Sequence, residues 1–283
     1  MNSQEEELFL KKGPPFSKNR VTKLGSAWRD GVAEKAPEID DFLTFNAELT
    51  EELIRISESI IASIILPMSQ SNNSPVLPES SLYNLTGRVK MDKTLLEKMR
   101  RMKTTPILNV QDVAGIRFDY DMTLAQQTNL AEVFSQGFML AGAKRVETKD
   151  YRESPHSGYR AMHLHIHSKA GRAEMQIRTA LQSKWANLYE TAADVFGRDI
   201  RYLHEGAKIP EGAGQLVQEL HDLSELAKRI EDLADVNGLQ KNSELIKLQH
   251  DAYGILDRIH GRLKSLRGKQ SQLEGEFSVF VSD

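Results

Sequence analysis

Glu174, Gln176 and Arg178 occupy alternate positions, so a strand through them projects a carboxylate, an amide and a guanidinium from one face and buries Met175 and Ile177 on the other. A structural hairpin needs no such row, whereas a site that handles phosphates and a metal ion does. Across a turn at Gly171 the preceding stretch alternates too. Met162, Leu164 and Ile166 share one face, and Tyr159, Ala161, His163, His165 and His167 share the other. Three histidines in a row invite a metal-ligand reading, but the ligand count argues against zinc.

A second group of candidate residues lies upstream. Arg88 and Lys90 alternate just before a helix expected to start near Asp92, which is a plausible N-cap, and Thr94 and Lys98 fall one turn apart on that helix. Cations beside a helix N-terminus suit a nucleoside triphosphate, although a solvated basic helix has the same composition. Asp112 and Arg117 flank Gly115 in a β-branched stretch and have opposite parity. Either a bulge at Gly115 brings them to one side, or Asp112 sits just before the strand, free to take Mg²⁺.

The elements that must position these residues follow from periodicity. Phe42, Phe45, Leu49, Leu53, Ile56, Ile60 and Ile64 recur at helical spacing in a region from about Trp28 to Leu66. Residues 110–120 read as a strand, Leu124 to Leu140 as a helix crossing back over the sheet, and Arg145 to Tyr151 as another strand. Beyond Gly197, two near-heptad runs separated by Asn237-Gly238 predict an antiparallel helical hairpin. It can pack on the preceding part, join two copies, or regulate. The expected fold is therefore α+β: a central mixed sheet flanked by helices, with N-terminal helices before it and the hairpin after. Three parts are expected: a basic arm and helices over 1–79, the chemical part over 80–204, and the hairpin over 205–283.

The 283-residue chain has no cysteine and carries a net charge of −3. No disulfide framework or zinc finger is available to it, and a reducing, cytoplasmic setting is expected. The longest apolar run, Ile60 to Leu66, is too short for a bilayer, and no signal peptide is expected. Polyanion binding must come from local patches. Lys11, Lys12, Lys18, Arg20 and Lys23 form one such arm, readable as a solvated tail or as an RNA contact.

Five motifs in order resemble those of the RelA/SpoT-type alarmone synthetases, over about residues 80 to 200. They are Arg88-x-Lys90 with Thr94 and Lys98; Asp112-Val-Ala-Gly-Ile-Arg117; Lys149-Asp150-Tyr151; Pro155-x-x-Gly158-Tyr159-x-x-x-His163; and Glu174-Met-Gln176-Ile-Arg178-Thr179. The resemblance implies a nucleotidyltransferase-like fold and a pyrophosphokinase that moves the β,γ-diphosphate of ATP to the 3′-hydroxyl of an acceptor nucleotide. It implies that Arg88 stacks on adenine, and that Lys90, Thr94, Lys98 and Arg117 serve the ATP phosphates. Asp112 and Glu174 would hold Mg²⁺, with Glu174 also able to take the hydroxyl proton. Lys149, His156, Tyr159, His163, Gln176 and Arg178 would form the acceptor side.

The breadth of the family favours GDP or GTP as acceptor. Many guanosine-specific members read Pro-Lys-x-Asn-Gly-Tyr, whereas this chain reads Pro155-His-Ser-Gly-Tyr159 and lacks that cation and amide. The wording resembles the toxic small synthetases, some of which modify the tRNA 3′ end, so tRNA stands as the alternative acceptor, with an antitoxin protein as the partner such a toxin implies. A nucleotide- or RNA-binding regulator without turnover is a third reading: Asp112 and Glu174 are unhelpful charges for RNA binding, and the presence of Arg88, Lys90, Asp112, Tyr159 and Glu174 together argues against a domain without turnover. A hydrolase part is not expected, since no histidine precedes Arg88. The His221-Asp222 and His250-Asp251 pairs read as solvated surface.

Overall fold

A computed structural model describes residues 8–64, 83–153, 157–197, 200, 213–237 and 243–280. The chain opens with a short 3₁₀ turn, Phe9–Lys11, followed by α1 (Lys18–Arg29) and α2 (Pro37–Ala62). There follow β1 (Tyr83–Val89), α3 (Asp92–Arg101), β2 (Ala114–Tyr120), α4 (Leu124–Leu140), β3 (Arg145–Asp150), β4 (Met162–His167), β5 (Arg172–Thr179), α5 (Ala180–Phe196), α6 (Gly214–Asn237) and α7 (Ser243–Phe280). The five strands form one mixed sheet in the order β1-β2-β5-β4-β3, in which only β2 and β5 run parallel. This is the α+β architecture expected from the alternation of strands and helices.

The two sheet faces differ in chemistry because each strand alternates. One face carries Ile116, Phe118, Met175, Ile177, Leu164 and Ile166, all buried against Phe45, Leu49 and Leu53 of α2 and Phe134 and Phe138 of α4. Each such side chain contributes roughly 1.5–3 kcal/mol of burial free energy. Pairing registers place the polar residues of all five strands on the other face. Arg88 lies opposite Gly115, Gly115 opposite Glu174, and Glu174 opposite His165. One step along, Thr86, Arg117, Gln176, His163 and Lys149 form a second row.

Local signals fix where the helices begin. Thr123 and Gln126 form a capping box for α4, and Thr179 and Gln182 form another for α5, so β5 runs directly into a helix at the residue that ends it. The expected N-cap at Asp92 is displaced by one residue. Met91 is the cap, Thr94 Oγ1 donates to its carbonyl, and Asp92 instead pairs with Lys35 at the start of α2. The continuous helical region expected from Trp28 breaks at Asp30-Gly31, where Gly31 adopts a positive φ of 71°. The basic arm is not a loose tail either: Lys18, Arg20 and Lys23 lie on α1, whose Val21 and Trp28 are buried with Leu95 and Met99 of α3.

The C-terminal helices form the expected hairpin, with Arg262 of α7 pairing with Glu219 of α6 at 2.7 Å. Leu181, Trp185, Leu188 and Ala192 of α5 share a core with Leu216, Leu220, Leu223, Ile230, Ala252 and Ile259 of α6 and α7. The hairpin is therefore packed on the helix that follows the Glu174 strand. Its two His-Asp pairs differ: His250 is exposed as expected, whereas the His221 ring stacks on Tyr189 with centroids 6.4 Å apart, which corrects the surface reading for that residue. No described helix is long and apolar enough to cross a membrane.

Candidate active site

Asp112 stands two residues before β2, and β2 pairs without a bulge through Gly115, so of the two placements read from the sequence the one just before the strand is observed, with the carboxylate engaged rather than free. From there its carboxylate meets both lysines of the upstream motif. Lys98 Nζ lies 2.6 Å from Asp112 Oδ1, and Lys90 Nζ lies 3.0 Å from Oδ2. Burial raises the Asp112 carboxyl, but the two ammonium groups outweigh it and leave its pKa below the ordinary value. Lys90 is held below its own ordinary value, because burial outweighs the attraction of Asp112.

Glu174, the second carboxylate, is buried, whereas Asp112 is half-buried. Gln176 donates to it at 2.7 Å, while His163 Nδ1 and His165 Nε2 each lie 3.4 Å from its Oε2. Burial alone would raise its pKa. Hydrogen bonds from His163 and His165 prevail and hold the carboxyl well below the usual range. Arg88, Asp112, Arg117, Glu174 and Gln176 line one cavity together with Gly87 and Gly115. Gly115 leaves the floor open between Arg88 and Glu174, the residues it faces on either side.

Cations dominate the remainder. Burial lowers Arg117 to a pKa of about 10, and the positive charges of Arg178 and Arg88 add to the effect. Arg117 is half-buried between exposed Arg88 and buried Arg178, and a polyanion relieves such mutual repulsion. Arg178 donates to Gln176 Oε1 at 2.5 Å and to Tyr159 Oη at 3.0 Å, and its guanidinium lies 5.2 Å over the Tyr159 ring. One face of Tyr159 is thus taken by a cation, and the ring also packs against the core shared by α5, α6 and α7. Tyr159 Oη also reaches His163 Nε2 at 2.7 Å, and Tyr151 packs edge-on against the His163 ring.

The structure thus gathers Arg88, Lys90, Lys98, Asp112, Arg117, Glu174, Gln176, Arg178, Tyr159 and His163 on one sheet face and its rim. Lys149 sits at the edge of that face opposite His163 and pairs with Glu147 at 3.3 Å. Thr94 spends its hydroxyl on the first turn of α3. His156 lies outside the described residues. The histidine trio divides: His167 faces Glu147 at 3.6 Å, away from Glu174.

Sequence reading missed the contribution of α6. Ser224 Oγ donates to the Gly158 carbonyl at 2.6 Å, and Arg160 reaches Ser224 at 3.2 Å and Glu225 at 2.6 Å. Gly158 has a φ of 83°, and a Cβ there would meet the Trp185 ring at 2.8 Å. The loop bearing Tyr159 is therefore clasped between α5 and α6. Arg160 inside the Gly-Tyr-Arg motif was the available signal, but no local pattern names its partner.

Residues 87–194 match the profile of the region found in RelA/SpoT proteins. Uncharacterized proteins of Mycobacterium bovis and Mycobacterium tuberculosis are 38% identical over 214 residues, covering 74% of this chain and 70% of theirs. Among solved structures, the small alarmone synthetase 1 from Bacillus subtilis is similar, with 26% identity and a TM-score of 0.50 over 72% of this chain and 97% of that one. The same enzyme bound to its product pppGpp gives 25% identity and a TM-score of 0.51 over 73% of this chain and 100% of that one.

Proposed function

The chain belongs to the RelA/SpoT family, and from that premise we propose that it is a pyrophosphokinase that transfers the β,γ-diphosphate of ATP to the 3′-hydroxyl of GDP or GTP. The observation that carries the reading is the placement of buried Glu174 and half-buried Asp112, both held below the ordinary carboxylate pKa, around one cavity with the guanidinium groups of Arg88 and Arg117. That arrangement favours a triphosphate and a cation together over either alone.

The roles divide across the cavity. Arg88 provides a planar guanidinium for the adenine. Lys90, Lys98 and Arg117 neutralise the triphosphate, while Thr94, whose hydroxyl donates to the Met91 carbonyl, fixes the first turn of α3 that presents Lys98. Both carboxylates line the same cavity and offer hard oxygen donors, so Asp112 and Glu174 fit Mg²⁺. When bound, Mg²⁺ supplies further charge neutralisation on the phosphates.

The acceptor enters from the β4 side. Tyr159 offers its ring to the base, while His163, Gln176, Arg178 and Lys149 hold the ribose and phosphates. Glu174 orients the 3′-hydroxyl and receives its proton. The new bond joins O3′ to the β-phosphorus as the bond from that phosphorus to the α,β-bridging oxygen breaks and AMP leaves, so atoms and charge balance.

GDP or GTP is preferred to tRNA because the similar small alarmone synthetase 1 is bound to its product pppGpp, whereas Lys18, Arg20 and Lys23 of the arm, although carried on a helix, stay exposed. Lys18, Arg20 and Lys23 ride on α1, and Arg20 pairs with Glu38. The deciding experiment offers γ-labelled ATP to GDP, GTP, ATP and deacylated tRNA together and separates products by size. Label on guanosine nucleotides, lost by roughly a hundredfold in Glu174→Gln, supports the proposal. Label confined to tRNA, with transfer weakened when Lys11, Lys12, Lys18, Arg20 and Lys23 are neutralised, overturns the acceptor assignment.

A further inference from the structure

The Glu174 carboxylate has a surrounding that an oxygen-only Mg²⁺ site does not require. His165 lies directly opposite Glu174 in the β4–β5 ladder, and His163 lies one alternate residue along, so both rings share its face. His163 Nδ1 and His165 Nε2 each stand 3.4 Å from the same oxygen, Glu174 Oε2, and one ligand atom from each of the three residues lies within 4.8 Å of the others. Around a zinc ion with bonds of about 2.0–2.2 Å, the corners of a tetrahedron stand about 3.4 Å apart. Two of the three ligand separations already have that length before any ion enters.

The outer shell is also in place. His163 turns Nδ1 toward Glu174 while Nε2 meets Tyr159 Oη at 2.7 Å, and that hydroxyl is in turn fixed by Arg178 at 3.0 Å. An imidazole whose second nitrogen is held by a hydrogen-bond partner is the usual form of a metal-bound histidine. His163 and Glu174 are buried, and both strands belong to the middle of the sheet, so little reorganisation is needed.

We propose that His163, His165 and Glu174 form a three-ligand site for a borderline transition-metal dication of the zinc class, with a fourth position left to water. Imidazole selects such ions over Mg²⁺, which prefers oxygen donors throughout. Resting on the functional reading above, the consequence is inhibitory control, because an ion held on Glu174 withdraws the carboxylate from the acceptor hydroxyl.

The test uses the whole chain after chelator treatment, titrated with cobalt(II) chloride in the absence of Mg²⁺ and nucleotide. The expected result is visible absorption of a four-coordinate centre that saturates at one equivalent and is displaced by one equivalent of zinc. His165→Gln and Glu174→Gln, each shown to be folded by circular dichroism, should weaken cobalt binding at least about tenfold, and His250→Gln on the exposed surface of α7 should not. Absence of a saturable band, or unchanged affinity in His165→Gln, overturns the site. Cobalt binding with no transfer to any acceptor supports the site and counts against the functional reading. Transfer that zinc inhibits in the unmodified chain but not in His165→Gln supports both.

Discussion

Lys98 Nζ and Asp112 Oδ1 stand 2.6 Å apart, which ties the first helix after β1 to the segment that leads into β2. Lys98 makes the larger contribution of the two charges that keep the half-buried Asp112 carboxyl below its ordinary pKa, with Lys90 second. Lys98→Met should leave burial less opposed and raise that pKa. A carboxylate with a depressed pKa is active above it and lost as pH falls, so the acid limb of the pH profile of kcat/KM should move to higher pH. An unmoved acid limb, with an unchanged KM for ATP, would contradict this.

Tyr159 should separate the two substrates. Its hydroxyl joins His163 to Arg178, and its ring holds Arg178 on one face. Tyr159→Ala removes the stacking surface and should raise the acceptor KM about tenfold, equivalent to about 1.4 kcal/mol, with little change in ATP binding. Tyr159→Phe keeps the ring and should cost less. Equal losses for both substrates would show that the pockets are assigned the wrong way round.

The clasp on the acceptor loop gives a third expectation. Ser224→Ala deletes a hydrogen bond to the Gly158 carbonyl and a partner of Arg160, a loss of about 1 kcal/mol. Acceptor KM should rise a few-fold while ATP binding is spared, although Ser224 lies on the C-terminal hairpin. Gly158→Ala should be worse, because its φ of 83° disfavours a side chain and the added Cβ would press on Trp185 at 2.8 Å. Thermal melts and steady-state kinetics on the two variants distinguish these outcomes.

Glu231 links the same hairpin to pH. It is buried against Thr179 and Gln182, the capping box of α5, and burial pushes its pKa up to about 7 despite their hydrogen bonds. Raised above its unfolded value, the carboxyl stabilises the fold fully below about pH 4.5 and loses that contribution as pH rises to about 7. The difference approaches about 3 kcal/mol. Glu231→Gln should flatten the stability profile across that window and leave the variant relatively more stable at pH 8 in urea titrations. A profile that keeps its slope would remove Glu231 as the cause.

The sequence by itself determined what alternation and ordered spacing can encode. Glu174, Gln176 and Arg178 share a face because a strand has a two-residue period, and Met175 and Ile177 are buried for the same reason. The order of the motifs from Arg88 to Thr179 sufficed for the family and hence the sheet. Tertiary structure decided whatever depends on residues far apart in the chain. Asp112 shows no local sign of standing between Lys90 and Lys98, since that contact exists only once α3 folds back over the start of β2. His165 and His167 are equivalent in sequence, yet register sets His165 opposite Glu174 and His167 opposite Arg172, from where its ring reaches Glu147 diagonally. Arg160 and Ser224 are 64 residues apart, and only the shared core of α5, α6 and α7 brings them together at the acceptor loop. Periodicity fixes the face of a residue, whereas its partner across the sheet or on another helix is chosen by packing of the whole chain.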